Sequence, residues 1–537
     1  MTKATARNTL YYGDNLPVLR AHVANESVDL IYLDPPFNSN ASYNVLFKAP
    51  EGHDSRAQVE AFDDTWHWTL AAEAAFDEVM KSGNSQASEM LRAMRHFLGD
   101  NDMMAYLAMM AVRLLELHRA LKPTGSLYLH CDPTASHYLK VLLDAVFGKA
   151  NFRNEITWKR TSAHSDGKRF GRNTDIIFFY SKSDDWKWNQ QFTGYNEKYS
   201  ARFRFSDPDG RRWMDDNATA KGLSGGGYEY EYKGATSLWR YPIETMQRLD
   251  REGRLHFTKS GGIRLKRYLD EAKGLPLQAL WDDIPPINSQ AQERLGYPTQ
   301  KPLALLERII SASSNPGDLV LDPFCGCGTT VHAAQKLGRK WIGVDVTHLA
   351  IGLIRRRLTE AFPKLKFDVV GVPKDLDGAR ALADQDKYEF QKWALSMIDA
   401  HPYKGGKKGG DGGVDGYIYF KPDGKTTEKA VVSVKGGQSL VPSMVKDLIV
   451  TVEQQGAKMG VFLTLEPPTK GMIAQAAAAG FYEPPGDVKW RAQFPKIQIV
   501  TVEQLFQPTN PLSIPWQDTS VFKKTRQELG HQSKLDV

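Results

Sequence analysis

Leu319-Val320-Leu321-Asp322-Pro323-Phe324-Cys325-Gly326-Cys327-Gly328-Thr329-Thr330 reads as a short apolar strand, a glycine-punctuated turn and the opening of a helix. Glycines at 326 and 328 let the backbone turn sharply and come close to a ligand, and the helix that follows offers free N–H groups and a positive dipole end. The next strand, Ile342-Gly343-Val344-Asp345, ends in a carboxylate suited to two ribose hydroxyls. The pair of features predicts an α/β fold with a nucleoside site. A dinucleotide fingerprint would require a third glycine where Val331 stands, which disfavours a nicotinamide cofactor. The plainer reading, a tight strand-to-helix turn with an incidental aspartate, has to explain Phe324, both threonines and Asp345 as coincidences.

Working outward, Ser27 to Leu33 is a buried-strand pattern that stops at Asp34. From Ala57 to about Leu121 the apolar spacing predicts helix, closed by the turn chemistry of Lys122-Pro123-Thr124-Gly125. Strands are expected at 126–130, 154–158 and 175–180, with a helix over 134–147. Between Asp185 and Leu295 the pattern breaks into short segments rich in Gly, Arg, Trp and Tyr; such a stretch is uncommon inside a compact domain unless it has a task. Regular α/β patterning resumes at 302–313 (helix), 319–321 (strand), 329–337 (helix), 341–344 (strand) and 347–362 (helix). Residues 375–386 read as a linker to a separate module. The alternation predicts a mostly parallel sheet with helices on its faces.

Composition agrees with several packed domains: 537 residues, 41% hydrophobic and 25% charged, Lys+Arg 69 against Asp+Glu 63. Three cysteines exclude a disulfide framework and point to a reducing compartment. No stretch is long and apolar enough to span a membrane, so a cytoplasmic protein is expected. The net charge of +6 permits a polyanion partner without demonstrating one.

A second motif follows the strand at 27–33: Asp34-Pro35-Pro36-Phe37. An exocyclic amine on adenine or cytosine is a poor nucleophile because its lone pair is delocalised into the ring. A carboxylate and a proline-fixed carbonyl, both accepting from the NH₂ group, favour a pyramidal amine ready to attack a methyl sulfonium. Phe37 can stack on an extruded base. Taken by itself, the tetrapeptide reads equally well as a Pro-Pro turn with an acidic cap.

Together these motifs resemble the DNA amino-methyltransferase family, over roughly residues 8–365. Asp34-Pro35-Pro36-Phe37 matches its catalytic tetrapeptide and Phe324-Cys325-Gly326-Cys327-Gly328 its cofactor loop, in the permuted order of the beta group. Gly13-Asp14-Asn15, His130-Cys131-Asp132, Asn154-Glu155-Ile156 and Thr299-Gln300-Lys301-Pro302 also match, in order. The resemblance implies a Rossmann-like methyltransferase that binds S-adenosylmethionine, flips a base of double-stranded DNA and methylates its exocyclic amine, N6 of adenine being favoured over N4 of cytosine. It further implies that Asp345 binds the ribose and Phe324 the methionine end, with Asp14, Lys301, Asp322, Gly326, Gly328 and Thr329 around the cofactor. Cys325 and Cys327 flank Gly326, so alkylation is expected to hinder cofactor binding. The inserted region 185–295 falls where the family keeps its target-recognition region; its arginines, among them Arg202, Arg204, Arg211, Arg212, Arg240, Arg248, Arg251, Arg264 and Arg267, are expected to contact phosphates or bases. The cluster Phe62-Asp63-Asp64-Thr65-Trp66-His67-Trp68 reads as packing rather than a base cover.

The expected domains are 1–184, with a helical insertion at about 51–121; 185–295; 296–374; and 387–537. Over roughly 387–485 the last resembles the Mrr-like restriction endonucleases of the PD-(D/E)xK superfamily, a small α/β domain that uses Mg²⁺. Asp415 matches the motif aspartate and metal ligand, Lys435 the motif lysine and Glu389 a helix position that some members use. Ser433 stands where a ligand is expected, which puts cleavage in doubt. A bifunctional restriction-modification enzyme and a non-catalytic DNA-binding protein stay open beside the methyltransferase, as do a homodimer and a restriction-system partner.

Overall fold

The computed structural model describes residues 7–36, 42–48, 54–63, 67–162, 167–168, 170–195, 197–220, 226–271, 273–288, 291, 293–295, 297, 299–403, 413–423, 426–484, 493–507 and 509–515. Phe37 and most of the stretch from Lys404 to Gly413 lie outside them. The chain forms two compact units, 190–278 and the remainder.

The larger unit is built on one sheet: β1 (Thr9–Tyr12), β2 (Val28–Leu33), β3 (Leu121–Cys131), β4 (Phe152–Lys159), β5 (Thr174–Ser181), β6 (Leu280–Trp281), β7 (Leu319–Asp322), β8 (Lys340–Asp345) and β9 (Asp368–Val370). The spatial order is β6-β4-β5-β3-β2-β7-β8-β1-β9. Only β5 runs against its neighbours, β3 and β4; the other pairings are parallel. The expectation of a mostly parallel sheet is borne out. Its centre, the β2–β7 pair, joins distant parts of the chain, Val320 opposite Leu30 and Leu321 opposite Ile31. Both strands are buried on both faces over most of their length, as their largely apolar sequences require, with Asp29 and Asp322 the buried exceptions.

Helices α1 (Asn15–His22), α2 (Leu70–Lys81), α3 (Ser85–Leu98), α4 (Asp102–Ala120) and α5 (Ser136–Phe147) precede α6 (Leu303–Ser313), α7 (Thr329–Lys336) and α8 (His348–Ala361). Asn101 caps α4 by accepting from Met104 N, and Thr347 caps α8 by accepting from Ala350 N. Helix α4 is buried nearly all round, with Leu107, Leu114 and Leu117 fully enclosed.

Two sequence expectations are corrected. The helical block does not begin at Ala57: Ser42–Lys48 and Asp54–Asp63 form an antiparallel hairpin, and helix starts at Leu70. The alternation Ala57, Val59, Ala61 is a period of two, which the longer helical window obscured. Residues 375–386 are not an unstructured linker, since α9 (Leu376–Gln385) occupies them, capped by Asp375 and burying Ala379 and Ala383 one helical turn apart. Helix α10 (Lys387–Met397) follows at once, capped by Asp386.

The C-terminal domain has a sheet ordered β10 (His401–Pro402), β11 (Gly416–Phe420), β12 (Glu428–Lys435), β13 (Met459–Thr464) and β14 (Ile497–Thr501). Val432, Val434 and Ile418 pack with Phe390 and Trp393 of α10 on one face. Val431, Tyr417 and Phe462 pack with the helices Pro442–Gln454 and Lys470–Ala478 on the other. This is the expected small α/β domain.

The smaller unit is a folded module with its own core of Tyr232, Trp239, Met246, Leu249 and Leu265. It carries a hairpin (Tyr228–Tyr232 with Ala235–Trp239), a four-stranded sheet and the helix Ile243–Arg251. Several of the expected DNA-reading arginines are held by acids of the same unit: Arg211 by Asp270 and Glu271, Arg264 by Asp215 and Arg267 by Asp216. Arg212 and Arg240 donate to backbone carbonyls.

Candidate active site

The carboxyl ends of β2, β7, β8 and β1 lie side by side, and each carries a residue singled out by sequence: Asp34, Asp322, Asp345 and Asp14. All four line one cavity of about 1100 Å³, the position where open α/β sheets bind ligands.

The cofactor loop has the required shape. Gly326 (φ 52°) and Gly328 (φ 77°) are left-handed, where a side chain is strained. A Cβ at Gly326 would meet the Tyr297 ring at 3.3 Å, and one at Gly328 would meet Ile354 at 2.8 Å. Gly326 N donates to Asp345 Oδ2 at 2.8 Å, while Asp345 Oδ1 accepts from Thr347 N and Oγ1 at 2.9 Å each. The carboxylate is therefore fixed in the cavity wall. Burial pushes Asp345 up to about 6 and Asp322 up to about 7, Asp322 being held by Thr330 and by Phe324 N. Such shifts of buried carboxyls beside a cleft mark a ligand site.

Asp34 is partnered on one side only. Its Oδ2 accepts from Lys301 Nζ, whereas its buried Oδ1 has no hydrogen-bond partner among the described residues. A buried acceptor without a donor costs free energy unless a ligand completes it. Pro35 and Pro36 follow directly, Pro35 buried. Beneath them Tyr32 Oη meets His130 Nδ1 at 2.9 Å, and His130 Nε2 meets Asp175 at 3.0 Å. That buried chain supports the strand end and gives His130 a structural partner on each side.

Three contributors went unread in the sequence. Arg113, 8% exposed, reaches from α4 to Asn15 Oδ1 (2.6 Å) and Asp14 Oδ1 (2.6 Å), and Asn15 Nδ2 donates to Pro323 O at 2.8 Å, tying the β1 turn to the cofactor loop. The signal was a lone charge inside the apolar stretch 103–115. Tyr297 is buried against Gly326, and Tyr12 stacks on His348 with ring centroids 3.8 Å apart. Trp68 packs on Phe76 and under Arg95, in keeping with a packing role.

These groups fit S-adenosylmethionine: two left-handed glycines open space beside the loop, the fixed Asp345 carboxylate suits a ribose diol, and Asp34 Oδ1 lacks a partner among the described residues in the same cavity. Cys325 and Cys327 line the same cavity but are buried, and burial raises both thiols, Cys325 well above the ordinary value, which disfavours the thiolate that iodoacetamide attacks.

In the C-terminal domain, Asp415 Oδ2 accepts from Val434 N at 2.6 Å and Oδ1 from Gln391 Nε2. Ser433 is buried on the adjacent strand, two residues before Lys435 on the same face. Glu389 is not brought to Asp415: its carboxylate accepts from Tyr12 Oη (2.7 Å) and Lys392 Nζ (2.8 Å). One carboxylate already holding two donors, with a neutral serine beside it, is a poor fit to Mg²⁺, which demands near-octahedral oxygen ligation.

Comparison with known proteins agrees with the geometry. A family model for DNA methylase matches residues 28–355, and one for restriction endonuclease matches 382–482. The type II methyltransferase M.EcaI of Enterobacter cloacae is 31% identical over 65% of this chain and 69% of its own length. The Mod subunit of the type III restriction-modification enzyme StyLTI of Salmonella typhimurium is 28% identical over 62% of this chain; the chain spans 51% of that relative. The solved PvuII DNA methyltransferase (cytosine-N4-specific) is 14% identical, covering 65% of this chain and 85% of its own, with a TM-score of 0.31. With Asp34-Pro35-Pro36 and the Phe324–Gly328 loop at the ends of neighbouring strands, the chain belongs to the DNA methylase family: it is a DNA methyltransferase of the restriction-modification type, followed by a restriction-endonuclease domain.

Proposed function

We propose that the protein transfers a methyl group from S-adenosylmethionine to N6 of a flipped adenine in double-stranded DNA. The observation that carries the reading is Asp34 Oδ1, buried without a hydrogen-bond partner among the described residues, in the same cavity as the Gly326–Gly328 loop and Asp345. The bound donor supplies an electrophilic sulfonium methyl. Asp345 holds the ribose diol, and the loop with the N-terminus of α7 seats the methionine end. Asp34 Oδ1 and the Pro35 carbonyl accept from the target amine, localising its lone pair for in-line attack. Lys301 fixes the orientation of Asp34 by donating to Oδ2. As the N–CH₃ bond forms and the S–CH₃ bond breaks, the amine proton departs toward the Asp34 oxygen that accepted it.

Adenine is supported by the tetrapeptide and by the DNA adenine methyltransferase YhdJ of Escherichia coli, 50% identical over 82 residues, 15% of this chain. Unit 190–278 is the DNA-reading module, and its exposed Arg204 and Arg248 contact phosphates. The C-terminal domain engages DNA without Mg²⁺-dependent cleavage, given the poor donor set at Asp415. The protein acts in the cytoplasm, where DNA lies; among the described residues no helix is long and apolar enough to cross a membrane.

The test is labelled-methyl transfer to DNA with Asp34→Ala as the comparison, a loss on the order of 10²–10³-fold being expected for removing one such group. Equal rates in variant and wild type overturn the reading. Incubation of unmethylated DNA with Mg²⁺ is expected to yield no cutting. Cutting abolished by Lys435→Ala would establish the bifunctional enzyme instead.

A further inference from the structure

Along the sheet edge the order is Asp34 at β2, the glycine loop at β7, Asp345 at β8 and Tyr12 at the end of β1, with strands about 4.8 Å apart. Tyr12 lies directly opposite Asp345 in register. A nucleoside whose reacting end sits at Asp34 and whose ribose sits at Asp345 therefore carries its purine toward the β1 side. What stands there belongs to the other domain. Glu389, Lys392 and Ser396 of α10 line the same cavity as Asp345 and His348, and their spacing of three and seven residues places them on one helical face.

That face is bolted to the cofactor machinery. Tyr12 Oη donates to Glu389 Oε2 at 2.7 Å, the Tyr12 ring stacks on His348, and His348 Nε2 lies 3.7 Å from Glu389 Oε2. His348 directly follows Thr347, which donates twice to Asp345. Two residues along the helix, about 200° around its axis, Gln391 points the other way, to Asp415. The helix thus has one face for each domain, and Glu389 is on the methyltransferase side.

We propose that Glu389 is a positioning residue of the cofactor site: through Tyr12 and His348 the endonuclease-like domain closes the purine end of the cavity, so that cofactor binding and seating of α10 stabilise each other. This rests on the S-adenosylmethionine reading above. By reciprocity, whatever α10 contributes to cofactor affinity the cofactor returns to α10.

The experiment is calorimetric titration of the full-length protein with S-adenosylmethionine and S-adenosylhomocysteine, alongside hydrogen exchange over Lys387–Met397. Glu389→Ala and Tyr12→Phe are each expected to raise Kd about tenfold, close to 1.4 kcal/mol. The double variant is expected to be little worse than either single, because both remove the same bond. KM for the cofactor is expected to rise more than kcat falls, and exchange in α10 of the wild type is expected to slow when cofactor is added. Wild-type affinity in both variants, or α10 exchange indifferent to cofactor, overturns the inference; the exchange arm decides it even where a variant fails to fold. Wild-type protein that binds neither ligand defeats the functional reading itself, a result distinguishable from wild-type binding with unaffected variants.

Discussion

Asp345 and Asp322 carry opposite obligations to folding and to ligand binding. Both are buried, and their folded pKa values are raised, to about 6 and about 7. Groups of this sign contribute stability that is fully present below the unfolded carboxylate value and is lost as pH rises through the folded value. The ligand-free protein is therefore expected to lose thermal stability between about pH 4 and pH 7 from these two groups. Cofactor affinity should move the other way, strengthening as pH rises through about 6, because the ionised Asp345 is the form that accepts two hydroxyl hydrogens. Melting curves with and without S-adenosylmethionine from pH 5 to 8 check both slopes, and an affinity that weakens with rising pH across that range contradicts the assignment. At the same scale, Cys325 and Cys327 are expected to resist iodoacetamide in the native protein and to react only on unfolding. Mass spectrometry of labelled protein tests it. The sequence placed these thiols beside Gly326 but could not show that the turn faces them inward.

At the scale of elements, the loop from Asp322 to Gly328 depends on two left-handed residues. Gly326→Ala is expected to cost about 1 kcal/mol or more in backbone strain, with an added push on Tyr297 at 3.3 Å. Its cofactor affinity should fall more than its melting temperature, measured by calorimetry on the same sample. This loop was legible from residue types because glycine positions, a strand before and a helix after constrain the local backbone strongly. The ends of β2, β7 and β8 were legible from the local pattern as well, whereas β1 was not read as a strand and Asp14 entered through the resemblance alone. The hairpin at 42–63 and helix α9 were not legible, since their short periods were averaged into longer windows. Arg113, Tyr297 and Tyr12 escaped because their roles arise from contacts between parts of the chain far apart in sequence, such as Arg113 with Asp14 and Tyr12 with Glu389.

For the whole molecule, the sheet is assembled from both ends of the methyltransferase, and β2 finds its partner β7 only across the intervening unit 190–278. The permuted motif order thus becomes one continuous edge of carboxylates. The C-terminal domain divides the functions of α10 between its two faces, Glu389 toward the cofactor cavity and Gln391 toward Asp415. Resemblance to a nuclease had placed Glu389 at a helix position that some members use, and that position alone could not tell which side it faced. The arginines of 190–278 show the same limit of composition, since several are spent on intramodule ion pairs rather than left for DNA.

The most direct measurement is transfer of labelled methyl from S-adenosylmethionine to unmethylated double-stranded DNA, followed by nucleoside analysis of the product. The account predicts N6-methyladenine with wild-type protein and a loss on the order of 10²–10³-fold with Asp34→Ala. No transfer to any DNA, or transfer as fast with Asp34→Ala as with wild type, would contradict it.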